Sequence, residues 1–395
     1  MNEEIILDMD EKSNQIKTNP ELQDLLKNLL SGCRINFLLG AGFSAKILKP
    51  LEYQEILFET LRLYASADEI HTKKATIIKA YLYWNFFTTS ILPIQKVDYE
   101  MGQEYLTFGR IISTILNERS NPVLDRQCNI FTTNYDPILE LILDNLHIIY
   151  NDGFEGRIIP KFSTDNFTKS YYRQAIFSNK KSEIPSINIL KIHGSLTWQY
   201  CQAKDEIWYQ NYIDTINSFH SEYEILFDNS LEKLIIDQLN AKDYDSAYKQ
   251  IQSLIESDIL DSALTNSTSY KNMLGAYSNQ FLIVNPTKEK FSSTLTNKNY
   301  YELLRIFSNE LEKENVLLIV FGFSFKDEHI LDITKRSMLN PSLKILLFCY
   351  TEDELNRMRT LFDNSKNDNI TFIYVKNSKL ELEHFSNILS TTFEK

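Results

Sequence analysis

Mostly apolar runs of five to eight residues recur along the chain, separated by stretches of helical period. The first is Ile35-Asn36-Phe37-Leu38-Leu39. The others are Asn129–Thr133, Ile187–Ile192, Gln280–Val284, Val316–Phe321, Leu343–Tyr350 and Ile370–Val375. A strand buried on both faces shows no period-two alternation, so such runs alternating with helices predict an α/β fold: a parallel sheet with helices on both faces. Residues 1–34 end in the helical pattern ELQDLLKNLL and read as an N-terminal helical segment. Residues 35–395 read as one α/β domain with two helical insertions, at about 45–125 and 205–275. The spacing leaves open whether the insertions pack together as a separate helical module. Within the first, Tyr81, Tyr83, Trp84, Phe86 and Phe87 form an aromatic stripe, either an interface or a helix buried all round. Asp136-Pro137 predicts a helix start with an Asp cap, and Thr351–Glu354 matches a capping box.

Glycine is scarce: 10 in 395 residues, about a third of the ~7% usage of ordinary proteins. A glycine here is therefore a stronger than usual pointer to a place where backbone geometry demands it. Gly40-Ala41-Gly42-Phe43-Ser44-Ala45 follows the first apolar run and fits G-x-G-x-x-A, the Rossmann-like turn that brings backbone close to a pyrophosphate. No strand ending in an acidic residue follows about 20 positions on, and Glu59 at that distance lies in a helical pattern, which counts against an ordinary dehydrogenase. Phe131-Thr132-Thr133-Asn134-Tyr135-Asp136 ends the next run. It puts hydroxyl, amide and carboxylate groups at a strand's carboxyl end, where open α/β sheets bind ligands. Read alone, Asn134 is equally a turn residue and Asp136 a helix cap. His193-Gly194 ends the third run and places an imidazole where a general base can work near neutral pH. Gly322-Phe323-Ser324 ends a fourth and offers a second turn for a dinucleotide, with Asp327 able to cap the helix that follows.

Composition narrows the setting. Apolar residues make up 43% and charged residues 24%, enough for a sizeable core and against disorder. The net charge of −12 counts against broad nucleic-acid binding. No run is long enough to span a bilayer, and the acidic start MNEEIILDMDEK is unlike a secretory signal, so a cytoplasmic protein is expected. Cys33, Cys128, Cys201 and Cys349 are scattered, which excludes a zinc ribbon and a disulfide framework. No metal is expected.

Taken in order, GAGFS, TTNYD, IHGS, Asn285-Pro286 and GFSF resemble the sirtuin-like superfamily over roughly residues 35–375. The resemblance implies that Gly40, Ala41, Gly42 and Ser44 bind the pyrophosphate of NAD+ and that Asn134 and Thr133 lie at the nicotinamide ribose. It also implies that Asp136 is near the carboxamide, that His193 is the base, and that Gly322 and Ser324 contact the adenosine side. Thr133 stands where the family has Gln, and the four-cysteine zinc module of sirtuin deacylases is missing. IFTTNYD, HGSLTW and GFSFKDEH look instead like the bacterial branch that acts in antiphage defence by destroying NAD, an abortive-infection strategy. Chains of this kind resemble the sirtuin-like subunit that joins a HerA-type ATPase. Because G-x-x-x-x-G-K-[ST] is absent, that ATPase would be a separate chain. The resemblance implies an NAD+ glycohydrolase that forms a homo-oligomer. The alternatives are an NAD- or ADP-ribose-binding subunit without turnover, a deacylase or ADP-ribosyl transferase, and an assembly scaffold.

Overall fold

The computed structural model describes residues 3–10, 15–17, 19–48, 54–64, 68–97, 101–119, 123–284, 294–363 and 369–393. The Asn285-Pro286 segment lies outside them. The chain divides into two compact units. The first comprises Met1–Ser44, Glu100–His193 and Lys298–Lys395; the second comprises Ala45–Tyr99 and Gly194–Asn297.

The first unit is built on eight parallel strands: β1 (Glu3–Leu7), β2 (Arg34–Leu39), β3 (Gln127–Thr132), β4 (Tyr150–Asn151), β5 (Ser186–Lys191), β6 (Val316–Phe321), β7 (Leu343–Phe348) and β8 (Ile370–Val375). Their order across the sheet is β1-β8-β7-β6-β2-β3-β5-β4. Every residue of β5, β6 and β8 is buried, as a sheet flanked by helices requires. The result is an α/β, Rossmann-like sheet. From β2 the chain runs to β3 on one side and later returns to β6 on the other. The order reverses between β2 and β6, where Leu39 and Phe321 are register partners and Gly40 and Gly322 follow at once.

Local signals explain the flanking helices. Helix α1 (Pro20–Gly32) starts with Pro at its first position, capped by Asn19, which accepts from the Leu22 N–H at 3.0 Å. It buries Leu22, Leu26 and Leu30, one every fourth residue. Gln103–Glu118 forms α3, after the short turn α2 (Ala41–Ser44). It packs on the C-terminal helix Leu382–Ser390, whose Phe385 stacks on Phe321 at 4.4 Å and meets Phe348 at 4.8 Å. Polar groups also enter this core. Asn36, Asn129 and Asn188 are register partners on β2, β3 and β5. The Asn129 amide donates to Asn36 Oδ1 and the Asn188 amide to Asn129 Oδ1, both at 2.9 Å.

The second unit is mainly helical. Helix Glu69–Phe86 packs on Ser267–Gln280 and on Tyr244–Glu256. Tyr81, Tyr83, Trp84, Phe86 and Phe87 are all buried, so the aromatic stripe is core and not an exposed interface. The Trp84 ring stacks on Phe227 at 4.5 Å, and Phe87 meets Phe219 at 4.8 Å. Buried Lys74 is answered by Asp261 at 2.6 Å and the Ser257 carbonyl at 2.7 Å.

Several expectations change. The two helical stretches form one unit, and α3 belongs to the sheet unit although it fell inside the expected 45–125 insertion. The first 34 residues are not purely helical: Glu3–Leu7 is an edge strand, exposed at every residue but Ile5 and Leu7. Gln280–Val284 is not a sheet strand. Gln280 ends a helix, and the buried run that follows makes only an isolated bridge, Ile283 with Gly194. Helix α4 (Ile138–Asn145) begins one residue later than expected, with Pro137 at the cap position. Among the described residues, no helix is long and apolar enough to cross a membrane.

Candidate functional site

The two glycine turns at the switch point press backbone on backbone. The Gly40 N–H donates to the Phe321 carbonyl at 3.2 Å and the Gly42 N–H to the Gly322 carbonyl at 2.9 Å. A Cβ on Gly40 would lie 2.5 Å from Gly322 O, and one on Gly42 2.5 Å from Gly322 Cα. Any side chain there would push the turns apart, and Gly322 also has a left-handed backbone with φ of 63°. The scarce glycines are thus explained first by the approach of β2 and β6. The Phe43 N–H donates to the Gly40 carbonyl at 2.9 Å, so three of the turn's amides already serve the protein. Ala41 and Gly42 form its exposed surface.

From β3, Asn134 is locked onto this turn. Its amide Nδ2 donates to the Gly40 carbonyl and to Ser44 Oγ, both at 3.0 Å. A carbonyl only accepts, so the nitrogen must face the turn, and Oδ1 is the group Asn134 can offer a ligand. Its own N–H donates to Thr132 Oγ1 at 3.0 Å, while Thr133 beside it is half-buried. Ser44 Oγ donates onward to Asp136 Oδ2 at 2.9 Å, and Asp136 Oδ1 accepts from the Ile138 N–H at 3.1 Å. Ser44, Asn134 and Asp136 are one buried network.

Two further charged groups hold this network in place. Lys191, the last residue of β5, donates to the Asp136 carbonyl and pairs with Glu140 of α4 at 3.1 Å. Burial pushes the Glu140 carboxyl up to about 7 against the pull of the Lys191 cation. Its second oxygen is buried with no hydrogen-bond partner among the described residues. The Tyr105 hydroxyl of α3 is likewise buried without a partner among them. Burial, and then the charge of Asp136, raise its pKa. Its ring meets Phe43 at 5.6 Å.

His193 stands two residues beyond Lys191, after Ile192, whose N–H donates to the Thr132 carbonyl at 2.8 Å. The imidazole is largely buried. Its Nε2 lies 3.0 Å from Asp327 Oδ2, and Tyr300 packs on the ring at 5.9 Å between centroids. Asp327 is reached from Gly322 by a loop in which Phe325 is left-handed, with φ of 53°. That backbone costs about 1–3 kcal/mol for a non-glycine residue. Burial of the Phe325 ring between Phe323 and Phe362, at 4.9 and 5.2 Å, offsets it. Ser324 is half-buried in this loop and its carbonyl accepts from Arg357 at 2.7 Å.

The structure therefore links Gly40, Gly42, Ser44, Asn134, Asp136 and Gly322 by direct contacts. It joins His193, two residues past Lys191, to Asp327, five residues past Gly322, and sets Ala41, Thr133 and Ser324 on the strand ends. Lys191, Glu140, Tyr105 and Tyr300 escaped the sequence reading. Lys191 left a weak signal, a charged residue inside an otherwise apolar run, shared with Lys344. Neither a family model nor a characterised protein matches the chain.

Proposed function

We propose that the sheet unit hydrolyses NAD+, giving nicotinamide and ADP-ribose. The observation that carries this reading is the bonding of Asn134 to the Gly40–Ser44 turn at the switch point, where open α/β sheets hold their ligands. The small exposed residues Ala41 and Gly42 let a pyrophosphate approach, and Gly322 and Ser324 flank the adenosine side. Because Ser44 and Asp136 spend their polar atoms on each other and on helix α4, they act mainly by fixing Asn134 against the ribose. Asn134 Oδ1 accepts a hydrogen bond from the attacking water or a ribose hydroxyl.

Water attacks the anomeric carbon as the bond to nicotinamide breaks. The bonding pair returns to the pyridinium ring, so nicotinamide leaves neutral and needs no proton. His193 takes the proton that the water loses. In a cell such a reaction drains NAD, which suits an antiphage role in the cytoplasm. Assembly as a homo-oligomer, or with a separate HerA-type ATPase chain, would then control it. No metal enters the scheme.

Incubating the purified protein with NAD+ and identifying the products by mass spectrometry tests the reading. Nicotinamide and ADP-ribose are expected. His193→Ala and Asn134→Ala should each lose at least about 10²-fold in rate, the lower bound for general-base assistance, while remaining folded. Full activity in both variants refutes the roles, and saturable binding of NAD+ without nicotinamide release makes the chain a sensor.

A further inference from the structure

A helix cap needs only one oxygen, and Asp327 uses both of its own. Oδ1 accepts from the N–H groups of His329 and Ile330, at 3.1 and 3.2 Å, at the start of helix Glu328–Ser337. Oδ2 reaches a residue 134 positions away in the chain, the His193 imidazole, at 3.0 Å. Two amide donors and the positive end of a ten-residue helix favour the ionised carboxylate, which can only accept. The hydrogen between Asp327 and His193 must therefore come from Nε2. Asp327 is 6% exposed, so this bond works in a low-dielectric setting where hydrogen bonds to charge are strong. Its direction is fixed from both ends. The helix holds the carboxylate, and the buried Phe325 ring anchors the left-handed turn that delivers it. Tyr300 packs on the imidazole, and His329 meets Tyr300 at 6.5 Å.

We propose that Asp327 is a positioning residue for the reaction: its helix-anchored carboxylate holds His193 as the Nε2–H tautomer, so that the imidazole lone pair lies on Nδ1 and the proton from water enters there. This rests on the NAD+ hydrolysis proposed above. A purely structural reading makes Asp327 a cap whose contact with His193 is incidental. Two substitutions separate the readings, because Asn and Ser both cap helices. Asp327→Ser keeps the cap and removes the partner of Nε2. Asp327→Asn keeps the cap and turns an N–H toward the ring, which forces Nε2 to accept and moves the hydrogen to Nδ1.

The experiment combines kinetics with ¹⁵N spectra of the six histidines at about pH 8, above the usual imidazole range, with the His193 signal assigned from its loss in His193→Gln. In the wild-type chain His193 should be neutral and protonated on Nε2, and in Asp327→Asn on Nδ1. Both variants should lose about 10²–10⁴-fold in kcat with KM changed less than about threefold and the melting temperature retained. Wild-type kcat in both variants, or a wild-type ring in any other state, overturns the proposal. If the wild-type chain releases no nicotinamide, the hydrolase reading fails while the spectra still decide whether Asp327 sets the tautomer.

Discussion

The two units bury their mass with a different emphasis. The helical unit closes on interlocked rings, with Trp84 on Phe227 and Phe87 against both Phe219 and Phe281. The sheet unit threads polar groups through its interior: the asparagine row on β2, β3 and β5, the Asn134–Ser44–Asp136 network, the Lys191–Glu140 pair and the His193–Asp327 pair. Apolar burial stabilises without direction, whereas each buried polar group demands a partner at a fixed place. The helical unit therefore has a core that tolerates repacking. The sheet unit has one that specifies positions, and the candidate chemistry stands on the specified side.

The contrast can be broken by substitution. Phe87→Ala should cost about 3–5 kcal/mol, the usual effect of emptying a large aromatic site, read as a lower urea midpoint. Phe87→Leu should recover most of it, because an apolar core accepts a smaller apolar side chain. In the sheet unit Asn188→Val should cost about 1–3 kcal/mol, since the half-buried Asn129 Oδ1 then loses its donor. Replacing Asn36, Asn129 and Asn188 together with apolar residues should cost less than the single change, because no orphan remains. An additive triple variant would show that the row is not a linked unit.

The last expected effect is one of pH. Glu140 ordinarily titrates near 4.5 and is raised to about 7 in the fold. Between those values the folded chain holds a proton that the unfolded chain has released. Stability should therefore fall as pH rises from about 4.5 to 7 and level off above. Glu140→Gln should flatten that part of the curve. An unchanged slope in denaturation measured across this range would assign it to other groups.

Much of the sheet was legible because strands buried on both faces are written as mostly apolar runs; β6 and β8 occupy the very residues expected. The misses have physical causes. Glu3–Leu7 lies at an edge, and only two of its residues turn inward. Phe281–Ile283 is as apolar as a strand but is buried beside a helix end, and an apolar run of that length reads the same either way. The candidate site was legible as single turns, because glycine and asparagine at strand ends are local signals. Its wiring was not. Nothing in the sequence near Asp327 points to His193, and nothing near Glu140 points to Lys191 on β5; those pairs exist only once the sheet brings distant strand ends together.

The parallel pairing of β1 with β8 sets a timetable. Glu3 lies opposite Thr371, so β1 leaves the ribosome long before its neighbour exists, by roughly 20–70 s at about 5–20 residues per second. Central β2 meets β3 much earlier than β6, and one of its sides stays bare in the interval. A nascent chain of this topology presents open apolar edges for most of its synthesis, the form of polypeptide most prone to pair with its copies and most dependent on chaperones.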